Sequence, residues 1–265
     1  MGVLMEDYKV VILCGGKGTR LKEETEFKPK PLVHVGNFPI LWHIMKHYSH
    51  YGYKDFILCL GYKGGLIKEY FLNYKWMSND FTLNLKKENE RVVNYTRTDE
   101  DWTITFVDTG AETNTGGRIK GIEKYIKEDN FLATYGDGVS NLNLRNLIKF
   151  HKDKNKIGTI TGVHPWSKYG TIHTNEENVI HEFIEKPILR DIINGGFFVF
   201  KKEFFDYLDE NCILEGEPFE KLANQKQIAL FKHDGFWHCM DTYKDFQELN
   251  NVWRSGNVPW KIWQS

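Results

Sequence analysis

Residues 10–31 read VVILCGGKGTRLKEETEFKPKP, an aliphatic run that passes straight into a glycine-rich, basic loop. Val10 to Leu13 is short and unbroken by polar residues, the pattern of a parallel strand buried on both faces. Gly15, Gly16 and Gly18 then remove side chains where a backbone must approach a ligand closely or turn with positive φ. Lys17, Arg20, Lys28 and Lys30 bring positive charge to the loop, and the Arg20 guanidinium can grip a phosphate through two parallel hydrogen bonds. Pro29 and Pro31 stiffen the backbone on both sides of Lys30, so this ammonium is held in place. A glycine turn with solvated lysines would account for three glycines alone. Glycines, arginine and a proline-clamped lysine together point to a polyphosphate site.

Two phosphate loops fit poorly. A P-loop needs Lys-Ser/Thr after its last glycine, and Gly18 is followed by Thr19-Arg20. The dinucleotide fingerprint wants a third glycine near Leu21, where there is none. The stretch instead resembles G-G-x-G-T-R-L-x(n)-P-K-P, the two-part signature of the sugar-1-phosphate nucleotidyltransferases.

The chain has 265 residues and a net charge of −1, with no electrostatic footprint for nucleic acid or an anionic membrane. Its basic clusters are therefore expected to serve small anions. MGVLMEDYK lacks an apolar signal core, Glu6 spoils a myristoylation motif at Gly2, and no stretch approaches the ~18 apolar residues of a spanning helix. Cys14, Cys59, Cys212 and Cys239 show no metal-site or disulfide spacing and read as reduced thiols of a cytoplasmic protein.

Strands and helices alternate at first. A strand over 9–14, a helix from Pro39 to about Tyr51, a strand at Asp55–Leu60 and a helix over Leu66–Tyr74 predict a parallel sheet with crossovers. Residues 76–108 break the rhythm with strand-forming segments. A helix near Ile119–Ile126, a strand over Phe131–Tyr135, a helix at Leu144–His151 and a strand at Gly158–Val163 follow. Thr171–His173, His181–Ile184 and Gly195–Phe200 suggest antiparallel sheet. The expectation is one α/β domain over 1–265: a Rossmann-like, mixed and mostly parallel sheet flanked by helices. It would carry a strand-rich insertion at 76–108 and a helical, aromatic part at 204–265.

Several residues could do chemistry. Asp137, flanked by glycines after an apolar strand, falls where open α/β sheets place ligands, although a turn or cap role is the plain alternative. Asp241, before a helix, could be an N-cap. As a pair of hard oxygen donors beside a polyphosphate loop, they suit one Mg²⁺. Glu185-Lys186-Pro187 offers a second proline-braced lysine, and Asn194-Gly195-Gly196 offers an amide and backbone N–H groups. Residues 113–118, TNTGGR, open a helix whose start favours anions; ordinary turns would explain each of these equally well. His43 and His47 stand at i, i+4 with His50 continuing the face, and read as a surface or interface stripe.

With these residues assembled, nearly the whole chain resembles the glucose-1-phosphate cytidylyltransferases. P-I-L-W-H-I-M-K at 39–46, T-G-G-R at 115–118, T-Y-G-D-G-V at 134–139, N-G-G-F-F-V at 194–199, M-D-T at 240–242 and P-W-K-x-W at 259–263 carry the likeness. It implies a nucleotidyltransferase fold of glycosyltransferase-A-like type. It also implies that Leu13, Cys14, Gly15, Gly16, Lys17, Gly18, Thr19 and Arg20 wrap the nucleotide, with Thr113, Gly117, Arg118 and Gly136 helping. By the same likeness Lys30, Arg20 and Asp137 act at the reacting centre, Asp137 and Asp241 carry Mg²⁺, and Glu185, Lys186, Asn194 and Gly195 meet the sugar phosphate. CTP and a sugar 1-phosphate would be the substrates, and the family's members are homo-oligomers, which suggests assembly through the 76–108 insertion and the tryptophan-rich tail. Cys14 stands where the family usually has Ala, Thr113 replaces a serine, and H-P-W-S-K-Y-G at 164–170 departs from the usual sugar-side loop. The residues leave open another nucleotide or phosphorylated acceptor, or a nucleotide-binding regulator without catalysis.

Overall fold

The computed structural model describes residues 7–86, 91–95, 100–167 and 169–263. The N-terminal residues 1–6, with Gly2 and Glu6, lie outside them, as do parts of the 76–108 insertion and Lys168 of the 164–170 loop.

Seven strands form the central sheet: β1 (Val10–Leu13), β2 (Asp55–Leu60), β3 (Thr103–Asp108), β4 (Asn130–Tyr135), β5 (Gly158–Val163), β6 (Ile193–Lys201) and β7 (Ile228–His233). Their spatial order is β7-β5-β6-β4-β1-β2-β3. β1 runs parallel to both β2 and β4, β3 parallel to β2, and β7 parallel to β5; β6 alone is antiparallel to both its neighbours. The sheet is thus mixed and mostly parallel.

β1 sits between two partners and every residue of it is buried. Its alternating side chains divide between two cores, Val10 and Ile12 on one face, Val11 and Leu13 on the other. The first core takes in the apolar sides of the helices Ile40–His50, Leu144–Lys154 and Tyr243–Arg254, and the second those of Thr115–Lys120 and Glu217–Asn224. Leu144, Leu147, Ile148 and His151 show why 144–154 is helical and amphipathic, and Asn143 caps it by accepting from Asn146 N–H at 3.1 Å. No described helix is long and apolar enough to cross a membrane.

Four expectations need correction. Thr103–Asp108, expected within the insertion, is the edge strand β3 of the main sheet, paired with β2 from Asp55↔Thr103 to Leu60↔Asp108. Among the described residues, the rest of the insertion includes a ribbon of Asp80–Leu83 against Arg91–Tyr95. The 204–265 part contains β7 and the strand Trp237–Cys239 beside its helices. β7 is an edge strand whose residues are partly buried or exposed, and its short apolar run, Ile228 to Phe231, is broken off by Lys232. Of the expected antiparallel set, Ile193–Lys201 joins the main sheet, while Thr171–Thr174 and Ile180–Ile184 pair, among the described residues, only with each other. Finally, His43 and His47 are buried, and only His50 is exposed. The tail's aromatic rings enclose His43: Trp253, Trp260 and Trp263 lie 4.9, 6.1 and 6.3 Å from its ring.

Candidate active site

The site begins where β1 ends. Cys14 N–H extends the parallel ladder by donating to the Cys59 carbonyl at 2.9 Å. The Gly15 carbonyl then accepts from Tyr62 N–H at 3.1 Å and from the Arg118 guanidinium at 3.2 Å. A Cβ on Gly15 would lie 2.1 Å from Arg118 Cζ, so glycine is required there for close approach. Arg118 is 4% exposed, and it also donates to the carbonyls of Leu60, Gly110 and Ala111 and to the Thr109 hydroxyl. Its guanidinium therefore clamps the glycine loop to the 109–111 turn, a positioning task beside the expected nucleotide contact.

Pro29 precedes the single 3₁₀ turn Lys30–Leu32 and Pro31 lies within it, so the two prolines flank a Lys30 that the turn buries. The short strand Gly138–Ser140 pairs antiparallel with Trp237–Cys239, with Gly138 opposite Cys239, and Met240 N–H donates to the Asp137 carbonyl at 2.9 Å. That pairing carries Asp241, more than a hundred residues away in sequence, to the side of Asp137. Thr242, not Asp241, caps the final helix, in a capping box with Asp245. Asp245 Oδ2 accepts from Asp241 N–H at 3.0 Å, which steadies the backbone under a carboxylate that is not used as the helix cap.

Lys30 Nζ sits 2.7 Å from both Asp137 Oδ2 and Asp241 Oδ1, and Arg20 reaches Asp241 Oδ2 at 3.0 Å. Burial alone would pull the Lys30 pKa down; the charge of Asp137 and hydrogen bonds to both carboxylates outweigh it and hold it above its ordinary value. The point between the two aspartates is thus already a seat for positive charge. Asp137, Cys239 and Asp241 offer ligand atoms within 4.8 Å of one another. Burial, reinforced by Asp137, drives the Cys239 pKa up and keeps the thiol protonated, so the available donors are the two hard carboxylates. This donor set fits a divalent cation.

Most of the expected residues line one cleft of about 350 Å³ at the end of β1 and β4: those of 13–20 other than Lys17, with Lys30, Thr113, Arg118, Gly136, Asp137 and Asp241. Six do not line it. Lys17 turns outward to Glu112 at 2.8 Å. Gly117 is buried against the Glu210 carbonyl. Glu185 and Lys186 are exposed and paired with each other at 3.4 Å, on a segment that follows the separate 171–184 ribbon. Asn194 stands behind Tyr135, donating to its hydroxyl at 3.1 Å, and the Gly195 carbonyl accepts from Trp237 Nε1–H at 2.7 Å. Pro31, Asn114, Thr115 and Tyr135 also line the cleft; in the sequence they stood only as a brace of Lys30, as part of a helix start and within T-Y-G-D-G-V, with no site contact assigned to any of them. Tyr135 directly precedes Gly136-Asp137, and that adjacency was the one signal that could have found it.

The family model described as nucleotidyl transferase matches residues 9–253. The chain is 48% identical over 257 residues to a Bacillus subtilis protein named probable glucose-1-phosphate cytidylyltransferase, covering 96% of this chain and 100% of that one. It is 47% identical over 259 residues to the glucose-1-phosphate cytidylyltransferase of Salmonella typhimurium, covering 97% and 100%. In fold it is similar to the crystal structure of HddC from Yersinia pseudotuberculosis complexed with GMP-PN, with a TM-score of 0.66 at 24% identity over 93% of this chain and 99% of that one. With the model spanning most of the chain and both relatives matched over their whole length, the chain belongs to the nucleotidyl transferase family, among its glucose-1-phosphate cytidylyltransferases.

Proposed function

We propose that this protein transfers the cytidylyl group of CTP to α-D-glucose 1-phosphate, giving CDP-glucose and pyrophosphate, with Mg²⁺ as the cation. The observation that carries the reading is the meeting of Lys30, Arg20, Asp137 and Asp241 at the mouth of the glycine loop, in a chain so similar to cytidylyltransferases.

The chemistry needs no nucleophile from the protein. A sugar 1-phosphate is largely dianionic near neutral pH, since the second pKa of a phosphate monoester is about 6. One of its oxygens attacks the α-phosphorus of CTP, the bond to the bridging oxygen breaks, and pyrophosphate leaves with the electron pair. The loop at Gly15 and Gly16 lets backbone approach the nucleotide. Arg20 and Lys30 are placed to neutralise charge on the transferring and departing phosphates, and alignment supplies the rest. Asp137 and Asp241 would hold Mg²⁺, which when bound supplies further neutralisation of phosphate charge. Free thiols and the CTP requirement support a cytoplasmic setting, and a homo-oligomer belongs to the same reading.

Incubation with each nucleoside triphosphate and a panel of sugar 1-phosphates, following pyrophosphate release with and without Mg²⁺, tests the reading. CTP with glucose 1-phosphate should turn over fastest. A clear preference for another triphosphate or acceptor would replace it with the neighbouring activity.

A further inference from the structure

Tyr135 ends β4 one residue before Gly136-Asp137 and lines the cleft, yet the chemistry above gives it no task. Its hydroxyl donates to Glu215 Oε1 and accepts from the Asn194 amide at 3.1 Å. Each partner is itself held. Glu215 Oε2 accepts from the hydroxyl of Thr115, a second cleft residue, at 2.8 Å, and that hydroxyl accepts from Leu214 N–H at 2.9 Å. Asn194 Oδ1 accepts from Gly196 N–H at 2.9 Å. The ring is fixed as well: it packs edge-on against Phe198 at 5.5 Å, and a Cβ on Gly196 would come within 2.4 Å of it.

A phenol has one proton to give. Here the proton is committed to Glu215, and Asn194 uses part of the oxygen's accepting capacity. What remains for a ligand in the cleft is an acceptor and not a donor.

We propose that Tyr135 is a specificity-determining residue whose oxygen accepts a hydrogen bond from a hydroxyl group of the bound substrate, with Glu215 and Asn194 as the positioning residues that fix its proton away from the cleft. This rests on the reading of the cleft as a cytidylyltransferase site. Two substrate hydroxyls share the required chemistry, the ribose 2′-hydroxyl of CTP and a ring hydroxyl of the sugar 1-phosphate. A fixed acceptor discriminates because an analogue lacking the hydroxyl leaves it unpaired.

The test compares kcat/KM of the wild type, Tyr135→Phe, Glu215→Gln and Glu215→Ala. One arm sets CTP against 2′-deoxy-CTP, and the other sets glucose 1-phosphate against its 2-, 3-, 4- and 6-deoxy analogues. Wild-type enzyme should prefer the hydroxyl over one deoxy analogue by about tenfold, the scale of a single hydrogen bond. Tyr135→Phe should bring that one ratio to within about twofold of unity and leave the other ratios where they were, by the same scale. Glu215→Gln keeps an acceptor for the phenol and should retain the ratio, while Glu215→Ala frees the proton and should lose it. A uniform fall of kcat/KM in Tyr135→Phe for every substrate would mean a purely structural role and overturn the proposal, as would a wild type indifferent to every deletion. Failure of the wild type to use CTP at all is seen before any variant is compared, and would reject the cytidylyltransferase reading and this proposal with it.

Discussion

At the scale of single residues, Lys30 has the most to lose. Its ammonium is nearly buried and lies 2.7 Å from each of two carboxylates, so its charge is fixed where the proposed reaction would gather phosphate charge. Removing it with Lys30→Ala should lower kcat by about 10²-fold or more and also raise the KM for CTP, because the charge matters most in the transition state. A change in KM alone, read by steady-state pyrophosphate release, would make Lys30 a ground-state binder. Asp137→Asn and Asp241→Asn should each nearly abolish turnover at saturating Mg²⁺ with the circular dichroism spectrum unchanged, since each leaves a single carboxylate for the cation. Wild-type rates in either variant would remove that aspartate from the metal site. Lys30 and Asp137 stood out in sequence because P-K-P and a G-D-G after an apolar strand have local physical meaning, whereas M-D-T read locally as a cap and Asp241 stood out only through its pairing with Asp137 and the family likeness. Tyr135 and Glu215 did not stand out: their contact depends on a loop 80 residues away in sequence folding back over β4. Arg118 was legible as a cation near the site, but its five oxygen partners are carbonyls and a hydroxyl that only the folded loops bring together.

At the scale of elements, the helix Ile40–His50 shows how pattern reading succeeds for a segment and fails for its faces. Its start at a proline and its length followed from local rules, and Asp55–Leu60 and Gly158–Val163 were likewise readable as apolar runs bounded by turns. Which side met solvent was not readable, because the tail that covers His43 arrives from two hundred residues away. Buried His43 is consistent only with a neutral ring: Nε2–H donates to the Val35 carbonyl at 2.9 Å, and Nδ1 accepts from Trp260 Nε1–H at 3.4 Å. A proton on Nδ1 would face the indole N–H. Burial accordingly lowers the His43 pKa to about 4, against a partly opposing hydrogen bond to Val35. The folded state therefore binds fewer protons than the unfolded chain between the unfolded value near 6.5 and about 4. The contribution is intact above pH 6.5 and is lost as the pH falls towards 4, about 3 kcal/mol in all by linkage. Urea midpoints measured from pH 7.5 to 4 should fall through this window, and His43→Gln should reduce the slope while leaving the share of His47 and His151, whose pKa values burial also lowers. An unchanged slope would mean that His43 titrates normally.

At the scale of the whole molecule, part of the apolar surface that remains uncovered lies on the two ribbons that do not join the main sheet. In the first, Phe81 and Leu83 are 38% and 45% exposed on one face, and Val92, paired with Thr82, is 56% exposed on the other. In the second, Ile172 and Phe183 face each other across the strands, 55% and 60% exposed. Two-stranded ribbons are marginal alone, and exposed apolar faces beside free edges are what soluble chains ordinarily cover. Folding back onto the same domain does not cover them, since these side chains remain exposed in the folded chain. The tryptophan-rich tail, expected to share in assembly, buries Trp260 and Trp263 in the subunit's own core, so these two rings are not offered to a neighbour. We therefore expect a homo-oligomer whose contacts run through the ribbons and not through those two rings. Light scattering after size exclusion at micromolar concentration should give a multiple of the 31.2 kDa chain mass. Leu83→Lys combined with Phe183→Lys should shift the population towards the single chain, because a charge placed in a desolvated apolar contact is strongly unfavourable. Neither residue lines the cleft, so a dissociated variant that still turns over would show that assembly and chemistry are separate, whereas lost turnover with an intact fold would show that a neighbouring copy supports the site. A wild-type protein that elutes as a 31.2 kDa species at every concentration would end the expectation.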